Sequence, residues 1–164
     1  DPDTTVEVSM QIMIPDENSF GEYIDIPHIS FSPWKYASSE AGKSGQSLYF
    51  RIKKSGDEYI IYRGVGNVPN TMPALRTVGR LTKDDLFGKW IDINISVNMK
   101  DGTASGSFGN VTAEFEINGC TEYTYQWNSE SFLRHFDIAV NPIGTNNSKF
   151  YVRNAEAVRK PITD

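Results

Sequence analysis

One short run of the chain places basic and aromatic side chains at alternate positions, a pattern typical of a ligand-binding sheet face. Tyr49, Arg51 and Lys53 fall at every second residue. In a strand they would share one face, while the apolar residues between them share the other. Tyr62 and Arg63 lie on the next predicted strand. Arginines there could bind a carboxylate through two parallel hydrogen bonds.

A structural role is the alternative for the same basic residues. Glu58 opens the next predicted strand. Cross-strand pairing of Arg51 or Lys53 with Glu58 would give a solvated sheet face with no ligand. The sequence leaves both interpretations open.

The chain has two histidines, His28 and His135. An imidazole can act as a general base when a partner orients it and a cleft exposes it. His28 follows Pro27 in a predicted strand, where it is either such a base or a half-buried residue hydrogen-bonded to backbone. His135 begins a later strand and is either a ligand-binding residue or ordinary surface.

Several aromatic residues could form platforms for sugars, whose C–H faces stack on exposed rings. Trp34 and Tyr36 fall in a predicted loop over residues 32–45, and Trp127 falls in a Tyr-rich segment. The alternative is that these rings cap the core. Trp90 precedes the most regular strand and is predicted to lie in the core or at its rim.

Acidic residues at predicted turns could supply oxygen ligands to a structural calcium ion. No EF-hand or repeat spacing links them, so isolated turn residues are the favoured interpretation, and no cofactor is expected. A zinc-type Cys/His cluster is also lacking, since Cys120 is the single cysteine. The acidic and amide residues considered are Asp16, Glu17, Asn18, Asp84, Asp85 and Asp101.

The elements that must position these residues are predicted to be strands. Residues 91–99 alternate strictly between apolar and polar types, with β-branched residues on the apolar side. Residues 4–14 repeat the pattern. In the run 22–31, Pro27 predicts an edge strand, a bulge or a bend.

The remaining segments are predicted from the same alternation and from turn residues. We expect nine or ten strands, with the first and last paired within the sheets, and therefore a sandwich or barrel. The further predicted strands are 47–53, 58–63, 111–117, 136–141 and 149–159, with loops at 64–73 and 103–109 and one helical turn at 81–86.

Length and charge narrow the function classes. The 164 residues suit a single domain, 1–164. A net charge of -5 without a Lys/Arg cluster argues against nucleic acid as a partner. No apolar run approaches the length of about 18 residues that a membrane span requires. The start at Asp1 suggests a trimmed N-terminus, and we expect a secreted or cell-surface protein; the oligomeric state stays open.

The order of motifs resembles the concanavalin A-like jelly-roll domains of polysaccharide lyases, of the heparin- and alginate-lyase-like groups, and related laminin-G and lectin-like modules. The resemblance covers most of the chain. An opening strand ends in Ile-Pro, and a later strand carries a histidine. A Gly-x-Trp precedes the central strand and an Asn-Gly hairpin follows it. A late strand resembles the one that those lyases write as Tyr-Phe-Lys-x-Gly-x-Tyr. These motifs occupy residues 6–15, 24–28, 88–91, 115–119 and 135–141.

The resemblance implies an all-β, two-sheet jelly-roll sandwich and a set of site positions. His28 matches the family histidine. The family's glutamine position holds Ile26, its lysine position Asp137 and its late tyrosine position, which supplies an acid or base in lyases, Asn141.

Three functions follow from this pattern. The first is a carbohydrate-interacting module that binds a polysaccharide or oligosaccharide in a concave sheet groove. The second is a polysaccharide lyase that cleaves a uronate glycan by β-elimination, and the third is a structural or adhesive module that contacts protein. The catalytic candidates are His28, Tyr62 and Arg51, with Tyr49 or Arg63 as substitutes, and the ligand-binding candidates are Tyr49, Lys53, Arg63, Trp34, His135 and Asn141.

Overall fold

The structure, a computed structural model, describes residues 3–33, 46–67, 74–115, 131–141 and 148–162. Within these ranges the backbone alone is described for residues 30–33, 46, 66–67, 74 and 131–141. All the strands, helices and contacts named below belong to these residues.

Ten strands form two five-stranded antiparallel sheets. The first sheet has the order β10-β1-β6-β7-β8 and the second the order β5-β4-β3-β2-β9. A short 3₁₀ helix spans Glu17–Ser19 and one α-helix, α1, spans Lys83–Leu86. The strands are β1 (Thr4–Met13), β2 (Tyr23–Pro33), β3 (Gln46–Ser55), β4 (Glu58–Asn67), β5 (Ala74–Leu81), β6 (Ile91–Asn98), β7 (Ala104–Phe108), β8 (Val111–Phe115), β9 (Ser131–Asn141) and β10 (Tyr151–Pro161).

The core lies between the two sheets. The odd-numbered residues of β6 are buried and the even ones are not, which confirms the predicted dry face. Phe50 of the second sheet meets Phe108 and Phe115 of the first, edge to face, with ring centroids 6.2 and 5.4 Å apart. Alternation in the sequence therefore translates directly into two facing apolar surfaces.

The two ends of the described chain pair with each other. β10 lies antiparallel to β1, with Thr4 opposite Pro161 and Met13 opposite Tyr151. The predicted pairing of the terminal strands is confirmed. In the residues described, no helix is long and apolar enough to cross a membrane.

Two predicted loops are wrong in part, because glycines within strands resemble turn signals. β4 continues through Gly64 to residue 67, and the segment 103–109 contains β7. A Cβ at Gly64 would come within 2.4 Å of the Tyr49 ring, and one at Gly106 within 2.4 Å of the Asn94 carbonyl oxygen. Glycine in a strand can thus indicate close packing against a neighbour as well as a turn, and these two glycines indicate close packing.

β5 is an element that the sequence analysis did not predict, whereas α1 matches the predicted helical turn. The side chain of Asp85, at the third helical position, accepts hydrogen bonds from the backbone and hydroxyl of Thr82, at 3.2 and 2.7 Å. This arrangement caps the first turn of α1.

Pro27 lies at a bulge within β2, an interior strand of the second sheet. β2 has β3 on one side and β9 on the other. The register with β3 shifts between Ile26 and Ile29, and that with β9 shifts between Asp25 and His28. Of the three predicted possibilities, the bulge is the one found, and it sets the position of His28.

Glu17 joins the 3₁₀ helix to both β3 and α1. Its carboxylate accepts hydrogen bonds from Lys54 at 2.7 Å and Tyr59 at 3.3 Å, and pairs with Lys83 at 2.6 Å. The hydrogen bond from Lys54, then that from Lys83, lowers the pKa of Glu17 from 4.5 to about 2. Burial, followed by the negative charge of Glu17 and the hydrogen bond to it, raises the pKa of Tyr59.

We expect Glu17 to contribute to acid unfolding. Because its pKa is lower in the folded than in the unfolded chain, its stabilising effect is complete above pH 4.5 and is lost as the pH falls towards about 2. Glu17→Gln should therefore flatten the dependence of unfolding free energy on pH in this window, measured by urea titration at several pH values. Lys54→Gln together with Lys83→Gln should flatten it too. An unchanged slope in Glu17→Gln would contradict this assignment.

Candidate functional site

The candidate site lies on the side of the second sheet that faces away from the inter-sheet core. We call this surface the Arg51 face and define it by Tyr23, Asp25, Tyr49, Arg51 and Tyr62. Asp25 and Tyr62 are the cross-strand partners of Arg51 on β2 and β4. Partners in register point to one side of a sheet, so the strands themselves bring these residues together.

Arg51 binds a carboxylate in the bidentate way expected, but the carboxylate belongs to the chain itself. Its Nε and Nη2 donate to the two oxygens of Asp25 at 2.6 and 2.7 Å. Glu58, the partner considered from sequence, instead accepts a hydrogen bond from Arg80 at 2.7 Å. Asp25 is only 7% exposed, so this ion pair is largely shielded from water.

Aromatic rings enclose the Arg51 guanidinium. Its central carbon lies 4.1 Å from the Tyr23 ring centroid and 5.5 Å from that of Tyr49. Burial lowers the pKa of Arg51 and its hydrogen bonds to Asp25 raise it, with a net rise above its ordinary value. Arg51 is therefore a fixed cation at the floor of this face.

Tyr49 forms the packed centre of the Arg51 face. Its ring stacks on His28, with centroids 5.3 Å apart and an angle of 29° between the planes. On the β4 side it lies over Gly64. Tyr49 has no exposed surface, so direct contact with a ligand would require its neighbours to move. Its ligand-binding role stays a prediction.

The remaining predicted residues of β3 and β4 fall at different places. Tyr62 is half-buried and directly opposite Arg51, and Lys53 is exposed and opposite Tyr23. The three catalytic candidates His28, Tyr62 and Arg51 therefore share one region of the sheet. Whether they perform chemistry stays a prediction.

Arg63 is separated from this group. It pairs in register with Phe50, a core residue, and is only 5% exposed. Its strand neighbours at two-residue spacing, Ile61 and Val65, are also in the core. Arg63 thus points to the side of the sheet opposite Arg51, and its ligand-binding role stays a prediction.

Two of the lyase-like motifs lie on neighbouring strands. β2 and β9 pair so that His28 is opposite Asp137, Tyr23 is opposite Asn141 and residue 30 is opposite His135. Only the backbone of β9 is described, so the ligand-binding roles of His135 and Asn141 stay predictions. Trp34, Tyr36 and Trp127 fall outside the described residues.

Trp90 lies on the first sheet's side of the molecule and is partly buried, in agreement with a place at the rim. The guanidinium carbon of Arg153, on β10, sits 4.0 Å from its ring centroid. An arginine already occupies this ring face.

The acidic residues considered as calcium ligands have local structural roles. Asp16 accepts hydrogen bonds from the backbone and hydroxyl of Ser19, both at 2.9 Å. Asp101 does the same for Thr103, at 2.9 and 2.7 Å, and these bonds lower its pKa. Across the described ranges, no group of three or more His, Cys, Asp or Glu residues could hold a metal ion.

Asp25 is the site residue that the sequence analysis missed. A signal was present, because Asp25 follows Tyr23 by two residues and so belongs to the polar side of its strand. The register that sets it against Arg51 could not be read from β2 alone, since the bulge at Pro27 shifts the pairing.

Comparisons with known proteins define a jelly-roll sandwich. The chain aligns with an alginate lyase from Chlorella virus with a TM-score of 0.55 and 11% identity, over 96% of this chain and 71% of that one. It aligns with an alginate lyase from Pseudomonas aeruginosa with a TM-score of 0.55 and 14% identity, over 98% of this chain and 65% of that one. The chain thus spans about two thirds of the length of these lyases.

These structures confirm the predicted fold and the resemblance to jelly-roll polysaccharide lyases at the level of fold. Identities this low show a shared fold alone. The sequence matches no protein-family model, and no curated protein matches it.

Proposed function

We propose that this protein is a secreted or cell-surface module that binds polysaccharide on the Arg51 face without robust cleavage chemistry. The observation that carries the proposal is the engagement of Arg51 by Asp25 through both carboxylate oxygens. The fold shared with two alginate lyases supports a glycan as the ligand, because the names of those proteins give the polysaccharide alginate as what they act on.

β-Elimination from a uronate needs a base near the acidic C–H and a group that neutralises the carboxylate. Arg51 already holds a carboxylate. The family's amide position holds Ile26, which is fully buried in the core. The late tyrosine position holds Asn141, so the groups that lyases use for this reaction are replaced.

A lyase with substituted residues is the second candidate. It is favoured by the shared location of His28, Tyr62 and Arg51 on one face. In that case His28 would act as base, Tyr62 as acid and Arg51 as the group that neutralises the uronate. A protein-binding, adhesive module is the third.

The deciding experiment exposes the protein to alginate, heparin-like, glucuronan, pectic and neutral polymers. Ultraviolet absorbance measures the unsaturated uronate that a lyase produces, and affinity gel electrophoresis measures retention. We expect retention by at least one polymer, no absorbance signal, and loss of retention in His28→Ala and Tyr62→Phe. Tyr151→Ala, on the exposed start of β10, is the matched control.

An absorbance signal that His28→Ala abolishes would replace the first proposal by the lyase. A lack of both retention and absorbance across the panel would reject both glycan functions and favour the adhesive module.

A further inference from the structure

The charge on the Arg51 face is internally balanced. Arg51 contributes one positive charge, and Asp25 contributes one negative charge at 2.6 to 2.7 Å. Both side chains are mostly shielded from water, with 14% and 10% of their surface exposed. Electrostatic interactions in such a setting are stronger than on an open surface.

A ligand carboxylate that approaches Arg51 would therefore be repelled by the carboxylate of Asp25. It would have to displace Asp25 or share the guanidinium with it, and two carboxylates at one site repel each other. Movement of the Asp25 side chain away from Arg51 would break two hydrogen bonds, of 2.6 and 2.7 Å, in a pair that is mostly shielded from water. The Tyr23 ring, 4.1 Å from the guanidinium carbon, covers a further side of the cation.

The other residues that define the Arg51 face are tyrosines, of which Tyr23 and Tyr49 are buried and Tyr62 is half-buried, so Tyr62 is the phenol that a ligand can reach without rearrangement. A phenol offers a hydroxyl that donates and accepts hydrogen bonds and a ring that packs against sugar C–H groups. Lys53, exposed on the same strand, is a solvated charge that gains little from an ion pair. This combination suits a ligand with hydroxyl groups and no charge.

We propose that the Arg51 face binds a neutral polysaccharide in preference to a polyuronate, with Asp25 taking the place that a uronate carboxylate would otherwise occupy on Arg51. This inference rests on the proposed glycan-binding function. Asp25 is therefore a residue that sets specificity: it binds Arg51 and so keeps a uronate carboxylate from binding there.

The test compares retention of the full chain by neutral glucan, mannan and xylan with retention by alginate, pectate and glucuronan, at low and high salt. We expect the wild type to be retained by at least one neutral polymer at least about tenfold more strongly than by any uronate polymer. Retention by the neutral polymer should change little with salt, because no charge pair is involved.

Asp25→Asn tests the mechanism, because it keeps the shape of the side chain and removes its charge. We expect uronate affinity to rise by about tenfold and to become salt-sensitive, since Arg51 then offers a charge-assisted bidentate site. Glu58→Gln is the matched control. It removes one negative charge from an exposed pair with Arg80 on the same sheet and should change uronate affinity less than about twofold.

Each outcome decides the inference. Equal or stronger uronate retention by the wild type would overturn it while leaving glycan binding intact. Unchanged uronate affinity in a folded Asp25→Asn, checked by circular dichroism, would overturn the role of Asp25. If Asp25→Asn does not fold, the double variant Asp25→Asn with Arg51→Gln replaces it. Loss of the preference for the neutral polymer in this double variant would also overturn the inference. If no polymer is retained, the proposed function itself fails.

Discussion

Phe50→Ala is expected to lower the free energy of unfolding by about 4 kcal/mol, because it removes a fully buried ring and leaves a cavity between the sheets. Phe50 packs against Phe108 and Phe115 across the core. Denaturant titration followed by intrinsic fluorescence measures the change.

Tyr151→Ala is the control for this loss. Tyr151 is 58% exposed, and its truncation should change stability by no more than about 0.5 kcal/mol. A loss at Phe50 as small as that at Tyr151 would show that the two sheets do not pack through these rings.

Gly64→Ala is expected to destabilise the protein by about 2 kcal/mol and to weaken glycan retention. The new methyl group would lie 2.4 Å from two ring carbons of Tyr49, and the ring cannot move without disturbing His28 and Arg51. Stability is measured by urea titration and binding by affinity gel.

A double-mutant cycle with Tyr49→Leu shows whether the ring is the cause. Removal of the ring should relieve the clash, so the two substitutions should be coupled by at least about 1 kcal/mol. If the losses of unfolding free energy in the two single variants simply add in the double variant, the effect of Gly64→Ala does not come from the Tyr49 ring.

Local alternation is sufficient to predict most of the strands. β1 and β6 each carry a dry and a wet face that the residue types make plain, and both lie where expected. β7 was missed because Ser105, Gly106 and Ser107 resemble a loop. The missing side chain of Gly106 instead allows close approach of Asn94 and Phe50, a tertiary requirement that a single strand does not display.

The sequence predicts which residues of the candidate site share a face of one strand, but not which residues pair across neighbouring strands. The shared face of Tyr49 and Arg51 followed from two-residue periodicity. The partner of Arg51 did not, because Asp25 reaches it through the register of β2 with β3. Arg63 follows Tyr62 directly and therefore lies on the other side of β4, in register with Phe50.

The pairing of β1 with β10 has a consequence for how the chain folds. Thr4 and Pro161 meet across almost the whole described sequence, so this contact closes a very long loop and carries a high entropic cost. During synthesis β1 is made before β6 and β10 and can pair with β6, yet its other edge stays open until β10 has been made. The newly made chain therefore carries an unprotected β1 edge until β10 is made, and such an edge favours association between partly made copies.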